Sequence, residues 1–304
     1  MDSKHNKAVG VVGVFDGVHR GHMGLLSHVR AEARKRGARA IAFTFDQHPL
    51  EVIRPEAAPK WVTLPSHRNN LLSDSGMVHQ VVEFPFDDNM RRLTAAQFAA
   101  MLSRDYGVEH LVMGHDHTFG SDRLSTLDDY ARACAQSGVT VSRAPRFQLT
   151  DHPGMPVSST SVRKAVAASD FPLAADLLGR SYEFSGTVVC GRRDGRKLGF
   201  PTANIDVDPR QLLPPEGVYA AWVRDNDGNR LPAMLNIGRC PTLTDGTRTT
   251  AEAHILAPVA DLYGRTLTVS PVAWLRGEQR FDSVEKLIAQ LSVDRANALK
   301  ALGL

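Results

Sequence analysis

The sequence predicts an α/β domain with a parallel sheet, followed by a smaller antiparallel β-barrel that ends in a helix. Length is the first observation, because 304 residues exceed what one hydrophobic core usually organises. The second is a change of pattern. In the first half, apolar runs alternate with segments of helical spacing, and from about Tyr182 short runs of alternating apolar and polar residues replace them. We therefore predict two domains, residues 1–180 and residues 181–304.

Strands and helices alternate along the first domain. A helical pattern after the first strand ends at Gly37, and a later helix begins after Thr94, a favoured N-cap residue. Strands that alternate with helices form a parallel sheet, and its ligand site lies beyond the carboxyl ends of the strands. The predicted strands are residues 8–15, 40–45, 78–84, 109–113 and 139–142.

Short strands separated by turn residues characterise the second domain. Residues 225–229, Asp-Asn-Asp-Gly-Asn, supply turn chemistry for a hairpin, and several such strands indicate a small barrel. The predicted strands are residues 184–190, 218–224, 231–237, 249–256 and 267–274. A final helix begins where Asp282 and Glu285 have the spacing of a capping box. Its predicted apolar face consists of Leu287, Ile288, Leu291, Leu299 and Leu302.

Composition and charge exclude several classes of protein. The formal net charge is only +3, so we expect no nucleic-acid partner. No apolar run is long enough to span a membrane, and no cleavage-site pattern follows the amino terminus. Cys134, Cys190 and Cys240 lie far apart in no C-x-x-C pair, which predicts buried thiols rather than disulfides or a thiolate zinc site. We expect a cytoplasmic protein.

A segment rich in glycine and histidine, residues 13–22, lies between the first predicted strand and the first helix. Glycines let the backbone approach a ligand, and a helix N-terminus offers N–H groups to phosphate. His19 and His22 can donate hydrogen bonds where charge develops during nucleotidyl transfer. The alternatives are a glycine turn with incidental histidines and a zinc pair, and the flanking strand and helix favour the phosphate site. Its other candidate residues are Gly13, Phe15, Asp16, Gly17 and Gly21.

A second segment, residues 158–163, has the composition of a phosphate clamp. Its hydroxyl groups can cap a helix, and the guanidinium of Arg163 follows one turn later, where it could contact the β- and γ-phosphates. The alternative is a helix cap without a ligand. The candidate residues are Ser158, Ser159, Thr160 and Arg163.

Together these two segments resemble the nucleotidyltransferase signatures of the prokaryotic bifunctional riboflavin kinase/FMN adenylyltransferase family, also called FAD synthetase. Residues 45–49 and 114–120 are similar to the family as well. The resemblance implies a Rossmann-like nucleotidyltransferase fold for the first domain, and it makes Asp116 and Phe119 candidate flavin contacts. The chain departs from the family at His117, where phenylalanine is common, and at Ser125, where glycine is often found.

Residues 195–205, Gly-Arg-Lys-Leu-Gly-Phe-Pro-Thr-Ala-Asn-Ile, resemble the signature of the riboflavin kinase module. Thr202 and Asn204 alternate along an extended segment, so their oxygens share one face and suit Mg²⁺. The alternative is a basic loop followed by an edge strand that begins with Pro201. The residues expected to border the ATP triphosphate are Gly195, Lys197, Gly199 and Pro201.

Glu252 corresponds to the catalytic glutamate of the riboflavin kinase module. A carboxylate within an apolar strand is costly to bury without a partner, which favours a functional role over an exposed charge. Asn236 and Arg276 match family segments that resemble flavin- or nucleotide-side loops, so we take them as weaker candidates for flavin binding. The resemblance also implies a riboflavin kinase-like barrel for the second domain.

The resemblance extends from about Val9 to Leu302 and implies a bifunctional enzyme of flavin cofactor biosynthesis. Riboflavin would be phosphorylated to FMN, and FMN adenylylated to FAD with release of pyrophosphate. ATP would be the co-substrate and Mg²⁺ the metal cofactor, while FMN and FAD would be substrate and products rather than prosthetic groups. The alternatives are a monofunctional riboflavin kinase with a degenerate N-terminal nucleotide-binding domain and a non-catalytic flavin-sensing module.

Overall fold

A computed structural model describes residues 7–115, 117–191, 199–241, 247–259 and 261–304, without the side chains of residues 240, 241, 247 and 248. The chain divides into two compact units, Met1–Ser159 and Thr160–Leu304. The predicted division after residue 180 differs from this one by two helices, which the structure groups with the second unit. The position of the functional boundary stays a prediction.

The first unit contains a five-stranded parallel sheet with the order β3-β2-β1-β4-β5. Its central strand β1 is buried along its whole length, as expected of a parallel strand covered on both faces. The predicted parallel α/β architecture is therefore confirmed. The strands are β1 (Ala8–Val12), β2 (Arg39–Phe45), β3 (Gln80–Phe84), β4 (Val108–Met113) and β5 (Thr140–Arg143).

Helices follow the strands as the sequence predicts. Gly37 ends α1 in the left-handed conformation at φ 61°, and Thr94 caps α5 in a capping box with Gln97. A 3₁₀ turn covers Pro55–Ala57. The helices are α1 (Arg20–Arg36), α2 (Pro49–Ile53), α3 (Pro65–Asp74), α4 (Asp88–Arg92), α5 (Ala95–Tyr106), α6 (Leu127–Ala135), α7 (Ser159–Ala167) and α8 (Phe171–Leu178).

One arginine is fully buried where the first three strands end. The guanidinium of Arg68, on α3, donates hydrogen bonds to the carbonyl oxygens of Val14 (3.2 Å) and Phe45 (2.9 Å) and to the carboxylate of Glu83 (2.7 Å). A buried charge is tolerated when its donors are paired in this way. Arg68 thus ties together the carboxyl ends of β1, β2 and β3.

The second unit contains a closed antiparallel barrel with the order β10-β7-β6-β11-β8-β9. The predicted hairpin is confirmed, since β8 pairs with β9 and the carboxylate of Asp225 accepts from the backbone N–H groups of Asp227 and Asn229 in the turn. The strands are β6 (Phe184–Val189), β7 (Ala203–Val207), β8 (Gly217–Arg224), β9 (Arg230–Pro241), β10 (Thr247–Ile255) and β11 (Thr266–Arg276).

The final helix is present as α9 (Val284–Ala301), with two differences from the prediction. Its N-cap is Ser283, whose hydroxyl accepts from the N–H of Lys286, while Asp282 forms an ion pair with the Lys286 side chain. Ile288 is 37% exposed, because the inward face follows the spacing of Leu287, Leu291 and the buried Asp294. Among the described helices, none has both the length and the apolar character needed to cross a membrane.

The cysteine prediction is correct for one residue and wrong for another. Cys134 is buried in the core of the first unit, as expected. Cys190 is exposed, because β6 ends at Val189 and the next residue lies beyond the barrel wall. The side chain of Cys240 lies outside the described part of the chain.

Helix α8 packs onto the barrel of the second unit. The ring of Phe171 meets the buried ring of Tyr219 edge to face at 5.8 Å, and the Ser169 hydroxyl lies 3.3 Å from the Tyr219 hydroxyl.

We expect a fragment of residues 160–304 to fold cooperatively, and a fragment of residues 181–304 to be less stable by about 3 kcal/mol because it exposes Tyr219. Urea denaturation followed by circular dichroism will compare them. Equal midpoints would show that α8 is no part of the barrel domain.

Candidate active sites

The glycine- and histidine-rich segment forms a tight turn between β1 and α1. Phe15 (φ 52°) and Val18 (φ 40°) occupy the left-handed region although neither is glycine, and both side chains are buried. Such conformations cost about 1–3 kcal/mol each and persist only where the surroundings fix them. A Cβ on Gly13 would lie 3.1 Å from the Phe15 ring, so glycine lets that ring pack against the strand end. The turn therefore has a defined shape at the carboxyl edge of the sheet.

The structure brings His19 and His22 together. Their rings stack with centroids 3.6 Å apart at 17°, and Phe15 meets His22 edge-on at 5.3 Å. His19 is the N-cap of α1, where its Nδ1 accepts from the backbone N–H of His22 at 3.2 Å. The proton of a neutral His19 ring is therefore on Nε2. Only that nitrogen can donate to a phosphate while the cap is in place.

The buried Nδ1 atom of His22 has no hydrogen-bond partner within the described part of the chain. Burial, and next the nearby imidazoles of His19 and His117, hold the pKa of His22 well below its usual value. A neutral imidazole still carries one N–H donor, and a buried donor left unpaired costs free energy. In the tautomer that carries the proton on Nδ1, an anionic oxygen at this nitrogen would remove that cost, and in that tautomer the site fits a phosphate group.

Asp16 is buried and stabilises the turn from within. Its carboxylate accepts hydrogen bonds from the backbone N–H groups of Val62 (3.2 Å) and Thr63 (3.0 Å), just before α3. Its carbonyl oxygen accepts from the hydroxyl of Ser159 at 2.9 Å. The contacts of Asp16 are those of a residue that shapes the site. Its predicted contact with ATP stays a prediction.

The two predicted phosphate segments meet although they are far apart in sequence. The hydrogen bond from Ser159 to Asp16 spans 143 residues, and a Cβ on Gly21 would lie 2.9 Å from the carbonyl oxygen of Val157. Glycine is therefore required at position 21 for this close approach. Thr160 and Arg163 belong to α7 in the second unit, and their roles at the phosphates stay predictions.

A cavity of about 630 Å³ opens beside the ends of β1 and β2. Phe45, Phe86, Phe98 and Phe119 contribute aromatic rings to its lining. Phe119 packs on Tyr130 at 4.7 Å, and the Tyr130 hydroxyl donates to its carbonyl and accepts from its N–H. This cavity has the size and aromatic lining of a ligand pocket. The other candidate of this loop, Asp116, lies outside the described residues.

Charged residues that the sequence did not single out also line this cavity. Arg91, Arg92 and Arg123 contribute to its lining together with His117. No motif marks these arginines, and a surface arginine is usually only a solvated charge. Arg91 forms an ion pair with Asp88 at 2.8 Å, and the three guanidinium groups together favour an anionic ligand.

In the barrel, three predicted residues form a row across neighbouring strands. Glu252 on β10 lies directly opposite Asn204 on β7 and opposite Asn236 on β9. Directly opposed residues of antiparallel strands share a face and have Cβ atoms about 5 Å apart. The structure thus brings together the expected catalytic carboxylate, a metal-ligand candidate and a flavin-site candidate.

Two cavities meet at Thr202. One, of about 580 Å³, is lined by Glu252, Asn236 and Arg276 as well as Thr202. The other, of about 660 Å³, is lined by Pro201 and Thr202 together with small and apolar residues such as Ala253 and Leu262. Thr202 is thus the residue that both linings share.

The structure describes one of the two glycines in the barrel signature, residues 195–205. Gly199 has a left-handed backbone at φ 81°, which favours glycine, while Gly195 and Lys197 lie outside the described residues. Sequence reasoning missed Gly191, where a Cβ would lie 2.2 Å from Nδ2 of Asn204. Only glycine leaves room for the Asn204 side chain, and nothing in the local sequence indicates this.

Arg276 lines the same cavity as Glu252, but its guanidinium is already paired. It donates to both carboxylate oxygens of Asp294 at 2.7–3.1 Å and to the carbonyl of Gly277. Asp294 is buried on α9 and also accepts from Gln290. The pair holds α9 at the cavity, where Leu287 and Leu291 form part of the wall. A direct contact of Arg276 with flavin stays a prediction.

Two family models match separate parts of the chain. The family model for FAD synthetase matches residues 1–161, and that for riboflavin kinase matches residues 178–302. The bifunctional riboflavin kinase/FMN adenylyltransferase of Pseudomonas fluorescens is 39% identical, with 97% of this chain and 93% of the relative covered. The protein of that name from Escherichia coli K12 is 37% identical, with 96% and 92% covered.

A solved structure has the same fold along nearly the whole chain. It is a crystal structure described as a macrolide-efflux protein from Streptococcus pneumoniae, with a TM-score of 0.81 at 29% identity, covering 96% of this chain and 93% of that one. Its similarity concerns the fold, whereas the two family models and the curated relatives identify the sequence. On these grounds the chain belongs to the bifunctional riboflavin kinase/FMN adenylyltransferase family.

Proposed function

We propose that this chain phosphorylates riboflavin to FMN in its barrel and adenylylates FMN to FAD in its parallel-sheet unit, with ATP as co-substrate in both reactions. One observation carries the proposal: the row formed by Asn204, Glu252 and Asn236 lies beside Thr202, where the two barrel cavities meet. A phosphoryl transfer needs such a place, with acceptor and donor on opposite sides. The separated cysteines of the sequence support a cytoplasmic location.

In the kinase reaction, Glu252 acts as the general base. Riboflavin lies in the cavity of about 580 Å³ and ATP in the cavity of about 660 Å³. Glu252 accepts the proton of the ribityl 5′-hydroxyl as its oxygen bonds to the γ-phosphorus, and the bond from that phosphorus to ADP breaks. Asn236, opposite Glu252, helps to orient the flavin side of the site.

The oxygens near this point fit a magnesium ion. Thr202 offers a hydroxyl, and Asn204, confined by Gly191, offers an amide oxygen beside the carboxylate of Glu252. Mg²⁺ prefers such hard oxygen ligands in combination with nucleotide phosphates. Thr202 and Asn204 would hold the ion, which supplies positive charge to the transferring phosphoryl group when bound.

In the adenylylation reaction, a phosphate oxygen of FMN attacks the α-phosphorus of ATP and pyrophosphate leaves. The attacking oxygen is already ionised near neutral pH, so no protein base is required and the residues position groups and stabilise charge. The Nε2–H of His19 and the N–H of His22 donate to the phosphates at the turn between β1 and α1. Ser159, Thr160 and Arg163 complete the clamp. Flavin lies in the aromatic cavity beside Phe119.

Product analysis separates this function from its rivals. Incubating the chain with riboflavin, ATP and Mg²⁺ and separating the flavins by chromatography should yield FAD. Accumulation of FMN alone would support a monofunctional kinase with a degenerate first unit. Binding of flavin without any product would support a sensing module.

The variant His22→Ala should stop the pathway at FMN. Loss of one phosphate donor from a preorganised site reduces adenylylation by at least about 100-fold, while the barrel keeps its kinase activity. The matched control is His28→Ala on the same helix, which should make FAD at the normal rate. Both are assayed by chromatography of the flavins formed from riboflavin. Equal loss of both activities in folded His22→Ala would contradict two separate sites.

The variant Glu252→Gln should show the opposite behaviour. The amide keeps the size of the side chain but accepts no proton, so riboflavin phosphorylation should fall by about 10²–10⁴-fold. Supplied FMN should still be converted to FAD. Glu285→Gln, on the exposed start of α9, serves as the control and should keep both activities. A Glu252→Gln protein that phosphorylates riboflavin normally would exclude Glu252 as the base.

A further inference from the structure

A histidine with no role in the proposed mechanism lies close to Glu252. His254 follows it by two positions on β10, so both side chains are on the same face of the strand. It is buried, with 9% of its surface exposed, and it lines the cavity that also contains Glu252 and Thr202. A buried imidazole at this position requires an explanation in terms of its partners.

Its main partner is the backbone just before Thr202. The Nδ1 atom of His254 lies 2.7 Å from the carbonyl oxygen of Pro201. A carbonyl oxygen has no proton, so the imidazole is the donor and carries its proton on Nδ1. The ring also packs against Phe200, with centroids 5.2 Å apart. His254 therefore contacts both residues that precede Thr202.

This contact lies where the β-ladder no longer reaches. The pairing of β10 with β7 ends at Ala253 and Ala203, so Pro201 and Thr202 lie beyond the last pair. Proline also has no N–H with which to extend a ladder. The side-chain hydrogen bond of His254 thus joins β10 to the chain beyond the last backbone pair. It does so next to Thr202, which lines both cavities.

We propose that His254 is a positioning residue for riboflavin phosphorylation, which donates from Nδ1 to the Pro201 carbonyl and so holds Thr202 in place between the two cavities. The proposal rests on the proposed kinase function of the barrel. It assigns no proton transfer to the imidazole, whose hydrogen bond acts on the position of the backbone. Its effect is exerted through Thr202 on the ATP side of the site.

The surroundings of His254 shift its pKa in the direction that favours the neutral ring. Burial lowers the pKa of the ring, the hydrogen bond to Pro201 opposes this, and Arg295 on α9 lowers it further. Glu252, on the same face of β10, is the nearby acid in the shared cavity. The donor role of Nδ1 follows from its 2.7 Å contact with the Pro201 carbonyl.

The test compares His254→Asn with His254→Leu in the full chain. The side-chain amide of asparagine can place an N–H close to the position of the histidine Nδ1, whereas leucine fills the space without a donor. We expect kcat/KM for MgATP in riboflavin phosphorylation to fall about 10- to 100-fold in His254→Leu, mainly through KM, and to stay within a few-fold of wild type in His254→Asn. Adenylylation of supplied FMN in the same protein reports that each variant is folded.

Two results would overturn the proposal. Equal losses in the asparagine and leucine variants would show that the donor is irrelevant, and loss of a limb of the kcat pH profile would identify His254 as an acid or base. Binding of MgADP, followed through the fluorescence of added riboflavin, gives a second measure that needs no turnover and should weaken only in His254→Leu. A wild-type chain that makes no FMN would contradict the kinase function, while the MgADP titration would still decide the role of His254.

Discussion

The buried guanidinium of Arg68 is the interaction on which the first unit depends. It joins the carbonyl oxygens that follow β1 and β2 to the carboxylate of Glu83 on β3, so one charge fixes the end of three strands. The phosphate turn begins at this edge, and the aromatic cavity lies beside it. Without the guanidinium, the carbonyl of Phe45 would lose this donor, while the carbonyl of Val14 would keep Thr44 and the carboxylate of Glu83 would keep Asn69. A residue outside every motif therefore contacts the backbone at the start of the phosphate turn.

In the barrel, the relative positions of the candidate site residues depend on strand register rather than on a buried charge. Glu252 is opposite both Asn204 and Asn236 only in one alignment of the strands, and a shift by one residue would turn it to the other face. Closure of the barrel fixes that alignment, because the described strands form a ring with no unpaired edge. In both units, side-chain hydrogen bonds hold the chain where a strand or its ladder ends, through Arg68 in the first unit and His254 in the second.

Local patterns in the sequence predict most of the architecture and part of each site. Periodicity identifies the sheet and the barrel, and the glycine and histidine spacing identifies the turn, because these signals reside in neighbouring residues. The pair of Arg276 with Asp294 and the burial of Arg68 were missed, since charged residues on helices usually face water and their partners lie far away in sequence. The wrong placement of Ile288 on the inward face of α9 has the same origin. Asp294 is buried on that face, although hydropathy favours an apolar residue there. His254 carried no motif beyond the strand that contains it.

The two nitrogens of the His19 ring differ in role. Its Nδ1 begins α1 by accepting from the N–H of His22, and in the neutral ring its Nε2 carries the proton that we propose is donated to phosphate. Serine, threonine or aspartate would begin the helix equally well, but their short side chains lack a second, remote donor. Replacing His19 with another cap residue therefore removes the proposed donor. The inactivity of a variant at this position would not separate an effect on helix formation from an effect on catalysis. His22 lies one turn later, where its backbone N–H supports the cap and its ring stacks on His19, so a change of its side chain leaves the cap acceptor in place but removes the stacking.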